Sequence, residues 1–282
     1  MTHLTSESFV YSLPVLPQAT RDDFIRTARM LKERAGIVLG EHKEDMVARS
    51  LGLEAKNLAV AEVRQYLDFL EHNPRAPEWE RFINTFTINH TAFFRESHHF
   101  GTLAEFVKKR SKPLSVWCAA ASTGEEVYTI AMVLQENVSN ADVTCSVLAS
   151  DIDTQALVRA QEGVYSQDRV QPVEDHLLRK YFQRGVGKRA GMVRVKPVLR
   201  NMVDFRMINL VSAENWPTDQ SFDVVFCRNT MIYFEKETQS KLLDKFAQVM
   251  KPGALLFVGH SENISHLSKA FRLQGQTVYV RI

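Results

Sequence analysis

Three acids in the stretch Leu114–Asp151 stand where they could do chemistry. Glu125 and Glu126 follow a block of small residues only, Ala119-Ala120-Ala121-Ser122-Thr123-Gly124, and Asp151 closes the next apolar run. A carboxylate suits an ammonium group or a pair of hydroxyls, and a turn of small side chains lets a ligand approach the backbone. A second stretch, Thr87–Phe100 (TINHTAFFRESHHF), interleaves the polar Asn89, Thr91 and Arg95 with Phe93 and Phe94. It reads either as a helix anchored by two aromatics or as a lid over a ligand. His98-His99 shows no metal-ligand partner at helical spacing, so both are read as structural and no metal is expected.

The flanking elements place these groups. Leu114–Ala120 has the length and apolarity of a strand, and Val127, Ile130, Ala131 and Leu134 then recur at helical spacing. Ser122 with Glu125 three residues on reads as a capping box for that helix. Val143–Ala149 is a second strand, ending on Ser150-Asp151. In an open parallel sheet a ligand binds outside the carboxyl ends of the strands, where Asp151 would meet ribose hydroxyls. The dinucleotide pattern G-x-G-x-x-G is absent, since only Gly124 is a glycine here. That disfavours a pyrophosphate cofactor and favours a nucleoside without one, of which S-adenosylmethionine is the leading candidate. An ordinary βαβ unit without a ligand remains open at this point.

Helices are expected at Arg21–Ala35, Glu44–Leu51, Ala61–Glu71 and Glu78–Phe86, with a proline break at His72–Pro77. These define an all-helical N-terminal domain at 1–76, a linker helix at 77–87 and an α/β domain at 88–282. Thr154–Gln161 is the next helix. Tyr181–Arg184, Met192–Lys196 and Val203–Ile208 are short strand-like runs, the first two joined by the glycine-rich Gly185–Gly191. They predict a small antiparallel β-subdomain inserted at about 176–205, whose last strand either stays there or rejoins the main sheet. Phe222–Cys227 and Ala254–Val258 are buried strands, Glu235–Met250 is an amphipathic helix, and Phe271–Arg281 is a terminal strand or hairpin.

The 282 residues, 45% hydrophobic and 24% charged, are those of a globular protein. Residues 1–80 carry ten Lys+Arg against thirteen Asp+Glu; the remainder, by subtraction from 35 and 33, carries 25 against 20. Neither part has the charge density of a nucleic-acid binder. Met1–Val10 shows no basic start with an apolar core, and no apolar run approaches a membrane span, so a cytoplasmic location without membrane insertion is expected. Cys118, Cys145 and Cys227 lack C-x-x-C spacing and are read as core residues.

The motifs FFRESHHF, WCAAASTGEEVYTIAMVL, ASDIDTQAL, FDVVFCRNTMIYF and LFVGHSENIS together resemble the CheR family of chemotaxis receptor methyltransferases. The resemblance runs from about residue 21 to the end. It implies a doubly wound S-adenosylmethionine-dependent methyltransferase domain with an inserted β-subdomain, preceded by a helical domain. It also implies methylation of glutamate side chains on chemoreceptor cytoplasmic domains. Carried over by motif, Asn89, Thr91, Arg95, Glu126, Asp151, Asn209, Leu210, Arg228 and Asn229 would contact the cofactor. Glu126 would meet the methionine amino group, Asp151 the ribose, and Asn209 and Leu210 the adenine, with Arg95 and Tyr233 nearest the transferred methyl. The Gly185–Gly191 turn resembles a loop that binds a receptor C-terminal pentapeptide in some members. Family members usually carry several arginines on the second N-terminal helix, whereas MVARSLGLEAKNL offers only Arg49 and Lys56 and includes Glu54. A monomer is expected. Two rivals are a nucleic-acid methyltransferase and a non-catalytic binding module. The first is disfavoured because Arg228-Asn229-Thr230-Met231 contains no proline where amine methyltransferases often carry N/D-P-P-Y/F.

Overall fold

The computed structural model describes residues 16–138 and 144–282. The reading of Met1–Val10 and the first residue of the expected strand Val143–Ala149 lie outside these. The chain divides into two compact units, one of the described residues up to Thr27 with Gly40–Trp79, the other of Ala28–Leu39 with Glu80–Ile282.

The helices at the N-terminal end are α1 (Arg21–Ala35), α2 (Glu44–Asn57), α3 (Val63–His72) and α4 (Glu78–Phe86). Helix α2 runs six residues past the expected Leu51, straight through Gly52. There a Cβ would stand 2.6 Å from the Pro17 carbonyl, so this glycine marks a close approach and not a stop. Helix α3 starts at Val63 because Glu62 and Gln65 form a reciprocal capping box. Val63, Tyr66, Leu67 and Leu70 are its buried stripe.

The larger unit continues with α5 (His98–Lys108), β1 (Leu114–Cys118), α6 (Glu125–Asn137), β2 (Cys145–Asp151), α7 (Thr154–Glu162) and β3 (Val164–Ser166). Then follow α8 (Asp175–Tyr181), β4 (Phe182–Arg184), β5 (Met192–Val195), α9 (Pro197–Arg200), β6 (Val203–Met207) and β7 (Phe222–Cys227). The chain ends on α10 (Lys236–Val249), β8 (Met250–Val258), β9 (Phe271–Gly275) and β10 (Val278–Arg281). The main sheet has the order β6-β2-β1-β7-β8-β10-β9. Its first five strands are parallel, and β10 pairs antiparallel with β8 and β9. Gln276 and Thr277 join β9 to β10 with φ of 47° and 60°, the left-handed pair that suits a two-residue hairpin turn.

The central strands are apolar on both faces, as a parallel sheet covered by helices requires. Trp117 packs with Leu148, Val225, Leu256 and the α10 residues Leu243 and Phe246. Val116, Cys118, Val147, Phe226 and Phe257 pack with Leu103 of α5 and Ile130 of α6. All three cysteines are free; Cys118 and Cys227 are buried core residues as expected, whereas Cys145 is half-buried at the start of β2.

The inserted β-element gains one strand that was not expected, and of the two placements left open for its last run the main sheet is the one adopted. Its sheet has the order β3-β5-β4, so it recruits Val164–Ser166, a three-residue run with no periodicity to betray it. Val203–Met207 does not belong to it. That strand rejoins the main sheet as the parallel neighbour of β2, with Asp151 opposite Met207.

Candidate active site

Because β6, β2, β1 and β7 are parallel neighbours, the segments leaving their carboxyl ends share one edge of the sheet. These are Ala119–Gly124 after β1, Asp151 on β2, Asn209-Leu210 after β6 and Arg228–Tyr233 after β7. Thus Asp151, Asn209, Leu210, Arg228, Asn229 and Tyr233 are brought together from three separate stretches of sequence, beside the turn after β1.

The turn after β1 does not contain the expected capping box. Ser122 has φ 46°, and its hydroxyl donates to Asn89 Oδ1 (3.2 Å). The helix instead starts from Gly124 at φ 96°, with no side-chain cap. A Cβ on Gly124 would stand 2.8 Å from both the Ala160 Cβ and the Tyr165 hydroxyl, so only glycine fits. Left-handed φ recurs around the site in Phe94, Glu96 and Asn229. Such strain is held in place by surrounding contacts.

Asp151 accepts the Ser122 N–H (2.8 Å) on one oxygen and the Asp153 N–H (2.9 Å) on the other. One lone pair on each oxygen is thereby left for a ligand, a geometry matched to a diol. Burial, with the neighbouring Asp153 charge, pushes its carboxyl up to about 6 against the pull of the backbone N–H groups of Asp153, Ser122 and Ile152. Asp153, the next acid along, was missed in the sequence. It is buried, caps α7 by accepting from Ala156 N (2.9 Å), and takes bonds from Asn89 Nδ2 (2.6 Å) and Thr87 Oγ1 (2.5 Å). The Asp-x-x spacing ahead of a helix was its available signal. Asn89 is therefore a strut between Asp153 and Ser122. Thr91 is buried beside it in sequence.

Glu126 is buried and paired with Arg228 Nη1 at 2.9 Å, while Cys118 Sγ donates to its other oxygen (3.6 Å). Burial raises its carboxyl, and the Arg228 charge opposes that. Arg228 itself is 1% exposed at its side chain. It donates from Nη2 to the Arg95 carbonyl (2.6 Å), lies 3.3 Å from Glu96, and stands over the Phe100 ring at 5.6 Å. The Thr87–Phe100 segment is neither a helix before His98 nor detached. It is a run of turns whose Arg95 Nη1 donates to the His90 carbonyl (2.8 Å).

Glu96 was passed over in the sequence and proves central. Asn229 Nδ2 (3.4 Å) and His260 Nδ1 (3.1 Å) both meet its Oε1. Burial raises its pKa, but His260, the Arg228 charge and Asn229 outweigh that and hold it at about 2. Ligand atoms of Glu96, His98 and His99 do lie within 4.8 Å of one another, so the His pair has an acidic neighbour after all. The Arg228 guanidinium already supplies that carboxylate with a cation. His99 serves packing: it is buried, with Nε2 2.9 Å from the Gln276 carbonyl, and burial pushes its ring down to about 4.

Asn209 and Leu210 are fastened by side chains the sequence did not single out. Asn209 Nδ2 donates to the Arg34 carbonyl (2.7 Å) and its Oδ1 accepts from Val211 N (3.1 Å). Lys245 Nζ donates to the carbonyls of Leu210 (3.2 Å) and Ser212 (2.5 Å) and sits 3.8 Å above the Trp216 ring. Tyr233 is half-buried, and its carbonyl accepts from Val38 N (3.0 Å).

Two family models match the chain: "CheR methyltransferase, all-alpha domain" over residues 22–87 and "CheR methyltransferase, SAM binding domain" over 89–280. The chain is 46% identical to the chemotaxis protein methyltransferase of Escherichia coli K12, over 91% of this chain and 89% of that one. It is 42% identical to chemotaxis protein methyltransferase 2 of Pseudomonas aeruginosa, over 92% and 93%. Among solved structures it has a slight likeness to the rRNA methyltransferase aviRa of Streptomyces viridochromogenes. There the TM-score is 0.43 and the identity 16%, over 69% of this chain and 87% of that one. The fold and site define a methyltransferase with a Rossmann-like S-adenosylmethionine-binding domain. The chain belongs to the CheR methyltransferase family. Among the described residues no helix is long and apolar enough to cross a membrane.

The residues present fit that cofactor: a small-residue turn, a free lone pair on each Asp151 oxygen, and the buried Glu126 carboxylate. Lys245→Met removes the donor from the carbonyls of Leu210 and Ser212, in the segment that the family resemblance leads one to expect beside the adenine. It is expected to weaken S-adenosylhomocysteine binding about three- to tenfold, the equivalent of roughly 1 kcal/mol for a lost hydrogen bond. Calorimetry showing wild-type affinity would detach Lys245 from this segment's placement.

Proposed function

We propose that the protein methylates glutamate side chains on the cytoplasmic domains of chemoreceptors, acting in the cytoplasm and as a monomer, with S-adenosylmethionine as methyl donor. The observation that carries this is the convergence of Glu126, Asp151, Asn209 and the Arg228–Tyr233 turn at the carboxyl edge of the sheet, beside the Arg95 segment, in a chain of this family. When bound, the cofactor supplies an electrophilic methyl group. Glutamate is ionised at neutral pH, with a pKa of about 4.3, so no strong base is needed. The protein's part is alignment and removal of water from the attacking carboxylate.

Glu126 holds the amino group, Asp151 the ribose diol, and Asn209 and Leu210 flank the adenine. Arg228 fixes Glu126 rather than the cofactor directly, and Asn89 acts through Ser122 and Asp153. Thr91, Arg95 and Asn229 line the methionine end. Arg95 positions the substrate carboxylate, and Tyr233 donates one hydrogen bond to the oxygen that does not attack. Arg95→Ala is therefore expected to lower the methylation rate at least tenfold more than it lowers S-adenosylhomocysteine affinity. Equal losses in rate and affinity would make Arg95 a binding residue only.

The small sheet is proposed as the docking site for a receptor's C-terminal pentapeptide. Strand β4 is an edge of that sheet, open to an added strand. Residues 182–200 hold six Lys and Arg and no acid, and Arg184, Lys188, Arg189 and Arg194 are exposed. Gly187 has φ 57°, which valine resists. The wild type is expected to bind such a peptide and Gly187→Val to bind it more weakly; no binding by the wild type at millimolar peptide defeats tethering. Tethering would compensate for α2, whose exposed face offers Met46, Leu53, Arg49 and Lys56.

The substrate class is tested by supplying methyl-labelled cofactor with either a receptor cytoplasmic fragment or bulk RNA. Label in the fragment alone supports the proposal. Label in RNA, or in neither, contradicts it.

A further inference from the structure

The turn that carries Arg228, Asn229 and Tyr233 rests on a carboxylate to which no role has been given. Glu262, just past β8, is 5% exposed. Its Oε2 accepts the N–H of Asn229 (2.9 Å) and of Gly259 (2.6 Å); its Oε1 accepts those of Thr230 (2.9 Å) and Ile232 (3.2 Å). No cation pairs with it among the described residues. Four backbone donors replace the hydration of this buried charge, and they use every lone pair the carboxylate has. Burial still pushes its carboxyl up against them.

Two further observations show that the turn needs such a clamp. Asn229 sits at φ 56°, an unfavourable conformation for a residue with a side chain. Gly259 lies so close that a Cβ there would stand 2.4 Å from Asn229 Nδ2 and 2.9 Å from Asn229 N. The same short segment carries His260, whose ring reaches Glu96 on the Arg95 side of the site. Residues 259–262 thus grip both segments between which methyl transfer is placed.

We infer that Glu262 is a positioning residue for methyl transfer. Its carboxylate fixes the backbone from Asn229 to Ile232, and through it the guanidinium of Arg228 and the hydroxyl of Tyr233. This rests on the proposed catalytic role of Tyr233.

The test compares wild type, Glu262→Gln, Tyr233→Phe and the double variant. Glutamine keeps one acceptor oxygen but turns an NH2 group toward the clustered N–H donors. Amide hydrogen exchange in the peptide Arg228–Tyr233 is expected to rise at least tenfold in Glu262→Gln, with the β1 and β2 peptides unchanged. Its kcat should fall about ten- to hundredfold. Tyr233→Phe should lower kcat in the wild type and do nothing further in the Glu262→Gln background, because its hydroxyl is already misplaced. Glu262→Asp, one methylene shorter but still charged, should recover part of kcat. Unchanged exchange in Arg228–Tyr233, or a Tyr233→Phe effect undiminished in the double variant, overturns the inference. If Tyr233→Phe alone leaves kcat unchanged, the reading of Tyr233 fails by itself, and exchange with the kcat of Glu262→Gln decides the clamp. Should Glu262→Gln not fold, Gly259→Ala presses on the same turn and is read in the same assays.

Discussion

Arg228→Met is expected to destabilise the protein by roughly 3–5 kcal/mol, the usual consequence of removing one partner from a buried ion pair. The guanidinium lies between Glu96 and Glu126 and also holds the Arg95 carbonyl. Methionine fills much of the volume but leaves two enclosed carboxylates without their common cation, so one must take up a proton. The variant should lose cofactor affinity as well, because the proposed amino-group partner Glu126 would no longer be aimed by Arg228. Acid titration adds a sign. Glu96 is held at about 2 in the folded state, below its ordinary 4.5. Its contribution to stability is present above pH 4.5 and is lost as pH falls toward 2. Denaturant unfolding of the wild type should show that loss, and Arg228→Met should show less of it. A variant within about 1 kcal/mol of wild type, the range of an exposed ion pair, would mean Arg228 is not the keystone described.

Asp151→Ala is expected to weaken S-adenosylhomocysteine binding about a hundredfold or more, since two hydrogen bonds to a carboxylate are each worth roughly 1.5–3 kcal/mol. Asp151→Asn should fall between, keeping one acceptor for the backbone N–H groups of Ser122 or Asp153. The folded-state pKa of about 6 gives a second signature. As pH drops through 6 the carboxylate takes a proton and loses an acceptor site, so wild-type affinity should decline, by up to about tenfold per pH unit. The same raised pKa means that protonating Asp151 favours the folded state: its ionised form costs stability above pH 6, and that cost disappears as pH falls toward 3.8. Asp151→Asn should show no decline of affinity in that window. Calorimetric titrations between pH 5 and 8 decide it. Equal affinities for Asp151→Ala and wild type would remove Asp151 from the site.

What was legible in the sequence had local causes. The alternation of apolar runs with helical spacing placed β1, α6 and β2, and Asp151 at a strand end followed from them. Phe222–Cys227 and Glu78–Phe86 were readable to the residue because flanking polar or proline-rich stretches bound them. Other features were decided by contacts distant in sequence. Ser122 has the spacing of a capping box, but Asn89 and a left-handed backbone claim it. Gly52 looks like a helix stop, but Pro17 crosses it. Val164–Ser166 is too short to show a period and exists as a strand only because β5 lies beside it. Among the site residues, motif resemblance supplied the names, whereas their division of labour needed coordinates. Arg228 and Asn89 hold other protein groups; Glu96, Asp153 and Glu262 lie inside the family motifs but their contacts there are set by partners distant in sequence, and Lys245 lies outside every motif.

The most direct test of the account is the chemical nature of the product formed on a receptor cytoplasmic fragment. After incubation with methyl-labelled S-adenosylmethionine, the fragment is separated and exposed to mild base. A glutamate methyl ester hydrolyses, so the account predicts that the label leaves as volatile methanol and that Arg95→Ala forms far less of it. Label that stays on the fragment through base treatment would show methylation at nitrogen, and the assignment of a glutamate carboxylate as substrate would be wrong.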